Sequence, residues 1–111
     1  MDKLANYRQC IQQFLTEQCQ GETLGGEIES EIVFDLTHDR YLLIDLGWNK
    51  HQRIYNCVIH LEIREGKIWI QHNQTDVLIA DNLIARGVAK ADIVLGFQPP
   101  YIREYIGLEV R

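Results

Sequence analysis

The sequence predicts an α+β fold, an antiparallel meander sheet of four strands or more packed with an N-terminal helix and a second helix after the strands. Three patterns predict it. Residues 54–71 alternate through two strands around Glu65-Gly66, residues 27–36 and 41–48 alternate as two more, and residues 3–18 set apolar side chains at spacings of three and four. At 111 residues the chain reads as one domain, able to bury roughly two-thirds of its unfolded surface without a metal or disulfide staple.

The first helix takes its stripe from Leu4, Tyr7, Ile11, Phe14 and Leu15, with Asp2 placed to cap it. Such a stripe in a short chain belongs to the core. Three glycines and no periodicity make 20–26 a loop. In 27–36, Ile28, Ser30, Ile32, Phe34 and Leu36 alternate with Glu27, Glu29, Glu31, Val33 and Asp35, so one strand face is strongly acidic. A turn at Thr37-His38-Asp39-Arg40 leads into 41–48, which is apolar on both faces, as a central strand would be.

A two-residue turn at Glu65-Gly66 sets Ile63 opposite Ile68, Leu61 opposite Ile70 and Ile59 opposite His72. Pairing through 49–52 then sets Leu46 opposite Tyr55, Ile44 opposite Cys57 and Leu42 opposite Ile59, extending that core row. The reverse face collects Ile32, Phe34, Leu36, Tyr41, Leu43, Ile54, Val58 and Trp69, more apolar surface than water should meet. Two arrangements stay open: a helix on each face, or both helices in one layer with a homo-oligomer interface opposite. The second helix is expected over 76–86, capped by Thr75 or Asp76 and stopped by Gly87. A brief apolar run leaves 90–97 open between strand and helical turn, and Pro99-Pro100 is expected to prevent regular structure from continuing before a weakly alternating end.

Composition narrows the function classes. Eleven basic against sixteen acidic residues give a formal charge of -5, a sign opposed to free-standing polyanion binding. No apolar run reaches the roughly 20 residues of a membrane span, and charges in the first eight residues do not suit a signal peptide, so a cytoplasmic protein is expected. Cys10, Cys19 and Cys57, without Cys-x-x-Cys spacing, fit reduced thiols.

No catalytic constellation stands out. Ser30, the one serine, lies among glutamates without a nucleophile elbow. In the simple register Cys57 and His60 fall on opposite faces, as do His60 and His72, which argues against a thiolate–imidazole pair and against zinc. The glycines of 21–26 precede a strand, so no phosphate cradle forms. No cofactor is expected. Lys50 and Arg53 are the weak candidates for DNA contact, and Trp48, Trp69, Pro99, Pro100 and Tyr101 the candidates for contact with a partner protein.

The opening Met-Asp-Lys-Leu-Ala-Asn-Tyr-Arg-Gln, then Leu46-Gly47-Trp48, Arg53-Ile54-Tyr55, 66–71 (Gly-Lys-Ile-Trp-Ile-Gln) and 92–100 (Asp-Ile-Val-Leu-Gly-Phe-Gln-Pro-Pro) together resemble the XisI family, named for the cyanobacterial fdxN-element excision controlling factor. The resemblance runs nearly end to end. Ala89 departs from a frequent proline and Gln98 from a frequent histidine. What the resemblance implies is a small α+β accessory protein that accompanies a recombinase in excising a DNA element during heterocyst differentiation. It also implies a XisH-type partner, with DNA contact indirect, and it carries over no catalytic residues.

Overall fold

The computed structural model describes residues 2–19 and 27–101. Helix α1 spans Lys3–Gln18, and the Asp2 carboxylate accepts the Leu4 amide at 3.0 Å as its cap. Tyr7, Cys10, Ile11, Phe14 and Leu15 are its buried side. The loop expected at 20–26 lies outside the described residues, as does the alternation expected after Tyr101.

Strands β1 (Ile28–Asp35), β2 (Arg40–Asn49), β3 (Gln52–Arg64) and β4 (Lys67–Asn73) form the antiparallel meander. At the β3–β4 turn Glu65 and Gly66 both take positive φ, 53° and 78°, the backbone twist that a two-residue hairpin favours. The sheet is mixed, however. A fifth strand, β5 (Ile93–Leu95), lies parallel to β4 and completes the order β1-β2-β3-β4-β5. Parallel neighbours need a crossover, and α2 (Ile79–Ala85) supplies it.

Several expectations need correction. Helix α2 begins at Ile79 and not near residue 76, because Thr75 is used elsewhere: its hydroxyl donates to Asn73 Oδ1 and accepts the Val77 amide, holding 73–77 as a turn. Leu78 is the N-cap and makes no side-chain cap bond. The stop at Gly87 is as expected, with φ of 107° and the Val88 amide returning to the Leu83 carbonyl. The open segment resolves into a 3-10 turn, Lys90–Asp92, leading into β5. Pro100 does not prevent regular structure: Pro100 and Tyr101 are helical, and proline is tolerated in a first helical turn.

The most consequential correction is in register. Pairing runs Ile44↔Cys57 but then Leu43↔Ile59, leaving Val58 as an extra residue in β3; it runs Leu61↔Ile70 but then His60↔His72, leaving Gln71 extra in β4. Each bulge reverses the alternation of its strand. The core row Ile59, Leu61, Ile63, Ile68 and Ile70 is as expected, but β2 joins it through Tyr41 and Leu43, not through Leu42, Ile44 and Leu46. Ile32, Phe34 and Val58 pack against this same core, where the simple register set them on the reverse face.

Both described helices cover that face. Adjacent residues of α1 tie it down at two points. The Tyr7 hydroxyl donates to Asp92 Oδ2 at 2.6 Å and accepts the Ala89 amide at 3.2 Å, fastening the helix to the entry of β5. Arg8 forms a two-pronged pair with Asp39 in the β1–β2 turn, Nε to Oδ1 at 2.8 Å and Nη2 to Oδ2 at 3.2 Å. Buried Tyr41 donates to the same Asp39 Oδ1 at 2.9 Å, and the Asp39 carbonyl accepts the Ile63 amide.

Replacing Tyr7 by Phe keeps the ring in the core and removes both hydroxyl bonds. The expected cost is about 1–2 kcal/mol in chemical denaturation; an unchanged midpoint would show that the Asp92 tie adds nothing.

Candidate interaction face

On the side of the sheet away from the helices, alternation sets Glu29, Glu31, Val33 and Asp35 on β1 and Arg40, Leu42, Ile44, Leu46 and Trp48 on β2. Tyr55, Cys57, His60, Glu62 and Arg64 follow on β3, and Lys67, Trp69 and His72 on β4. The face is therefore apolar along β2, acidic along β1 and richer in cationic and imidazole groups along β4. Trp48 is 51% exposed, Tyr55 67% and Val33 43%.

One carboxylate is nonetheless deeply set in it. Glu62 is 5% exposed, the buried charged side chain among the described residues. Its Oε1 accepts Arg64 Nε at 2.5 Å and Gln71 Nε2 at 3.3 Å, its Oε2 meets His60 Nε2 at 2.8 Å, and Arg40 Nε stands 3.4 Å away. Burial raises the pKa of this carboxyl, but the bonds from Arg64, Gln71 and His60 and the charge of Arg40 outweigh burial and hold it below the ordinary glutamate range. The Gln71 bulge carries its amide to this cluster. Arg64 also lies over the Trp69 ring, 5.8 Å from its centroid.

The bulges also undo two exclusions drawn from the simple register. His60 and His72 are cross-strand partners, and Cys57 shares a face with His60. Neither pairing makes a reactive centre. His60 Nε2 is committed to Glu62; Cys57 Sγ lies 3.5 Å from the Ile59 carbonyl, and burial pushes its thiol up, away from the thiolate a nucleophile needs. Among the described residues no group of three or more His, Cys, Asp or Glu is placed to hold a metal ion, and no helix is long and apolar enough to cross a membrane.

The weak DNA candidates lie at the β2–β3 turn. Lys50 occupies it with φ of 60°. Arg53 pairs across the strands with Trp48, its guanidinium 5.4 Å from the ring centroid and its Nη1 3.3 Å from the Gly47 carbonyl. Glu27 and Glu29 line the same notch as Arg53, so carboxylates share the surface that a phosphate would need there. Gly47 permits the close strand crossing there: a Cβ at this residue would fall 2.1 Å from the Glu27 carbonyl oxygen, and φ is 151°.

The remaining partner candidates do not join this cluster in sequence. Trp69 is half-buried beside Glu62, whereas Pro99, Pro100 and Tyr101 are exposed beyond β5. Phe97, 50% exposed, belongs with them and was missed, because an aromatic residue after a short apolar run reads as core.

Residues 1–110 match the family model of the XisI protein. The chain belongs to the XisI family. A crystal structure of a XisI-like protein from Anabaena variabilis superposes on this family member with a TM-score of 0.86 at 38% identity, covering 92% of this chain and 94% of that one. The fdxN element excision controlling factor XisI of Anabaena variabilis superposes with a TM-score of 0.80 at 31% identity, covering 94% and 95%. Comparison with the curated proteins returns no match.

Because its folded pKa is depressed, Glu62 contributes stability that is full above the unfolded glutamate value of about 4.3 and is lost as pH falls through the folded value. Glu62→Gln is therefore expected to cost about 1–3 kcal/mol at neutral pH. The gap between variant and wild type should close as denaturation is measured at successively lower pH. A gap independent of pH would contradict the ionic assignment.

Proposed function

We propose that this chain is a non-enzymatic accessory factor in the excision of a DNA element, acting through protein partners. Membership in a family that includes a protein described as the fdxN element excision controlling factor supports the excision setting. The observation that carries the partner reading is the segment after β5. Phe97 and Tyr101 are 50% and 70% exposed, and exposed Pro99 and Pro100 stand between them. Proline restrains the backbone in advance, so a partner that docks on the two rings orders little further chain. Trp48, on β2 and so across the strand order from β5, is a second such anchor.

The partner to try first is a XisH-type protein, as the resemblance implies. Co-expression followed by light scattering of the purified species should yield a mixed complex, and replacing Phe97 and Tyr101 by Ser should remove the partner without loss of the cooperative melt. Two separately eluting proteins would count against this partner.

One observation favours direct DNA contact as a second reading: Arg–Trp pairs occur at both ends of the open face, Arg53 with Trp48 and Arg64 with Trp69. That reading predicts salt-sensitive binding of single-stranded DNA that weakens in Lys50→Ala and Arg53→Ala. Absence of binding at low salt would dispose of it.

A further inference from the structure

Among the described residues β1 is the outer strand on one side of the sheet, and its ladder with β2 defines which backbone groups are left over. The Glu27 carbonyl accepts the Trp48 amide at 3.1 Å, in line with the register that runs from Ile28↔Gly47 to Asp35↔Arg40. Backbone groups alternate in direction along an antiparallel strand, so Glu29, Glu31, Val33 and Asp35 bond to β2 while Ser30, Ile32 and Phe34 turn theirs outward. Cys19, at the end of α1, donates its thiol to the Ser30 carbonyl at 3.3 Å and closes the edge there. The amides and carbonyls of Ile32 and Phe34 remain as an open edge, a template for one more strand.

A wall stands beside that edge. Gln9, Gln12, Gln13 and Thr16 recur at helical spacing on α1 and, with Glu17 and Phe34, line a groove of about 510 Å³. An edge strand holds an extended peptide through backbone bonds, while pockets for alternate side chains set the specificity. Side chains opposite Ile32 and Phe34 would enter the groove. Those between them would lie over the other row of β1, the exposed Glu29, Glu31, Val33 and Asp35.

The charge of that exposed row selects the occupant, and a second copy does not suit it. When two β1 edges pair antiparallel about a two-fold axis, the registers that bond both Ile32 and Phe34 within the strand set Glu31 opposite Glu31, Glu29 opposite Asp35, or Glu31 opposite Asp35. Like charges directly opposite are destabilising. A nucleic acid would meet the same carboxylates. A segment with Lys or Arg facing Glu31, where Glu29 is in diagonal reach, and an apolar residue facing Val33, which is 43% exposed, answers both positions. A further cation faces Asp35, although that carboxylate also holds His38.

We infer that the edge of β1, backed by α1, takes up an extended basic segment of a partner protein as an added antiparallel strand. The carboxylates that keep copies of this chain apart are then the ones that admit the partner. The inference goes beyond the reading that places a partner on Phe97 and Tyr101, because β1 and β5 are opposite edges of the sheet. Either can fail alone.

The probe is the peptide Arg-Ile-Val-Thr-Arg, acetylated and amidated, titrated to roughly 5 mM into the isotope-labelled full chain and followed by amide nuclear magnetic resonance. Its Arg residues would face Asp35 and Glu31, its Val would face Val33, and its Ile and Thr would bond Phe34 and Ile32. Expected are binding and an exchange rate at the Ile32 and Phe34 amides slowed at least about tenfold. Methylating the backbone nitrogens of the peptide's Ile and Thr preserves its charge but removes those donors, and should abolish binding. Glu31→Lys should weaken binding about tenfold, and a peptide with Glu in place of its second Arg should recover it, which a misfolded variant could not do. A chain with Phe97 and Tyr101 replaced by Ser should bind the peptide unchanged. No binding, equal binding of the methylated peptide, a charge exchange that restores nothing, or protection at β5 in place of Ile32 and Phe34 would overturn the inference. So would protection of Ile32 and Phe34 that rises with protein concentration in the absence of peptide, the mark of a second copy on this edge.

Discussion

The architecture depends on how α1 is fixed across one face of the sheet. Tyr7 and Arg8 are neighbours in sequence, yet they bind carboxylates from two distant parts of the chain, Asp92 before β5 and Asp39 between β1 and β2. Hydrophobic burial of Ile11, Phe14 and Leu15 drives the helix onto the sheet without specifying its direction; the two carboxylates supply that direction. Asp39 links further, since it also holds the Tyr41 hydroxyl and, through its carbonyl, the Ile63 amide. Its φ of 57° is the backbone strain that goes with this position, where a short polar residue tolerates the left-handed region.

With α1 and α2 on the same side, the core is a single layer between helices and sheet. Among the described residues the other face has no such cover. Its β2 strand is apolar where a solvated strand would be polar, and Glu62, which would otherwise be an unpaired buried charge, is compensated by Arg40, Arg64, His60 and Gln71.

Much of this was legible in the sequence. The helix stripe of α1, its Asp2 cap, the meander and the Glu65-Gly66 turn all follow from local periodicity and turn chemistry, because each is decided within a few residues. The bulges were not legible. An extra Val58 or Gln71 leaves the alternation looking intact on either side, and only the partner strand reveals the slip. That one-residue error exchanged Tyr41 and Leu43 for Leu42, Ile44 and Leu46, so the second apolar face, which the sequence left either to a helix or to an interface, was assigned mostly the wrong residues. The parallel placement of β5 was equally hidden, since a three-residue strand has no period to read. For the site, Trp48 and Tyr101 were identifiable as exposed aromatics, whereas Glu62 looked like an ordinary outward-facing glutamate until its neighbours were in place.

The central claim is that one sheet face is sealed by the helices while Leu42, Ile44 and Leu46 on the other are less enclosed. The most direct measurement is methyl nuclear magnetic resonance of the isoleucine- and leucine-labelled chain with a soluble paramagnetic agent. The account predicts that the methyl signals of Leu42, Ile44 and Leu46 relax faster as the agent is added while those of Ile11, Leu61 and Ile63 change little. Equal relaxation of both sets, or relaxation confined to the helix side, would contradict it.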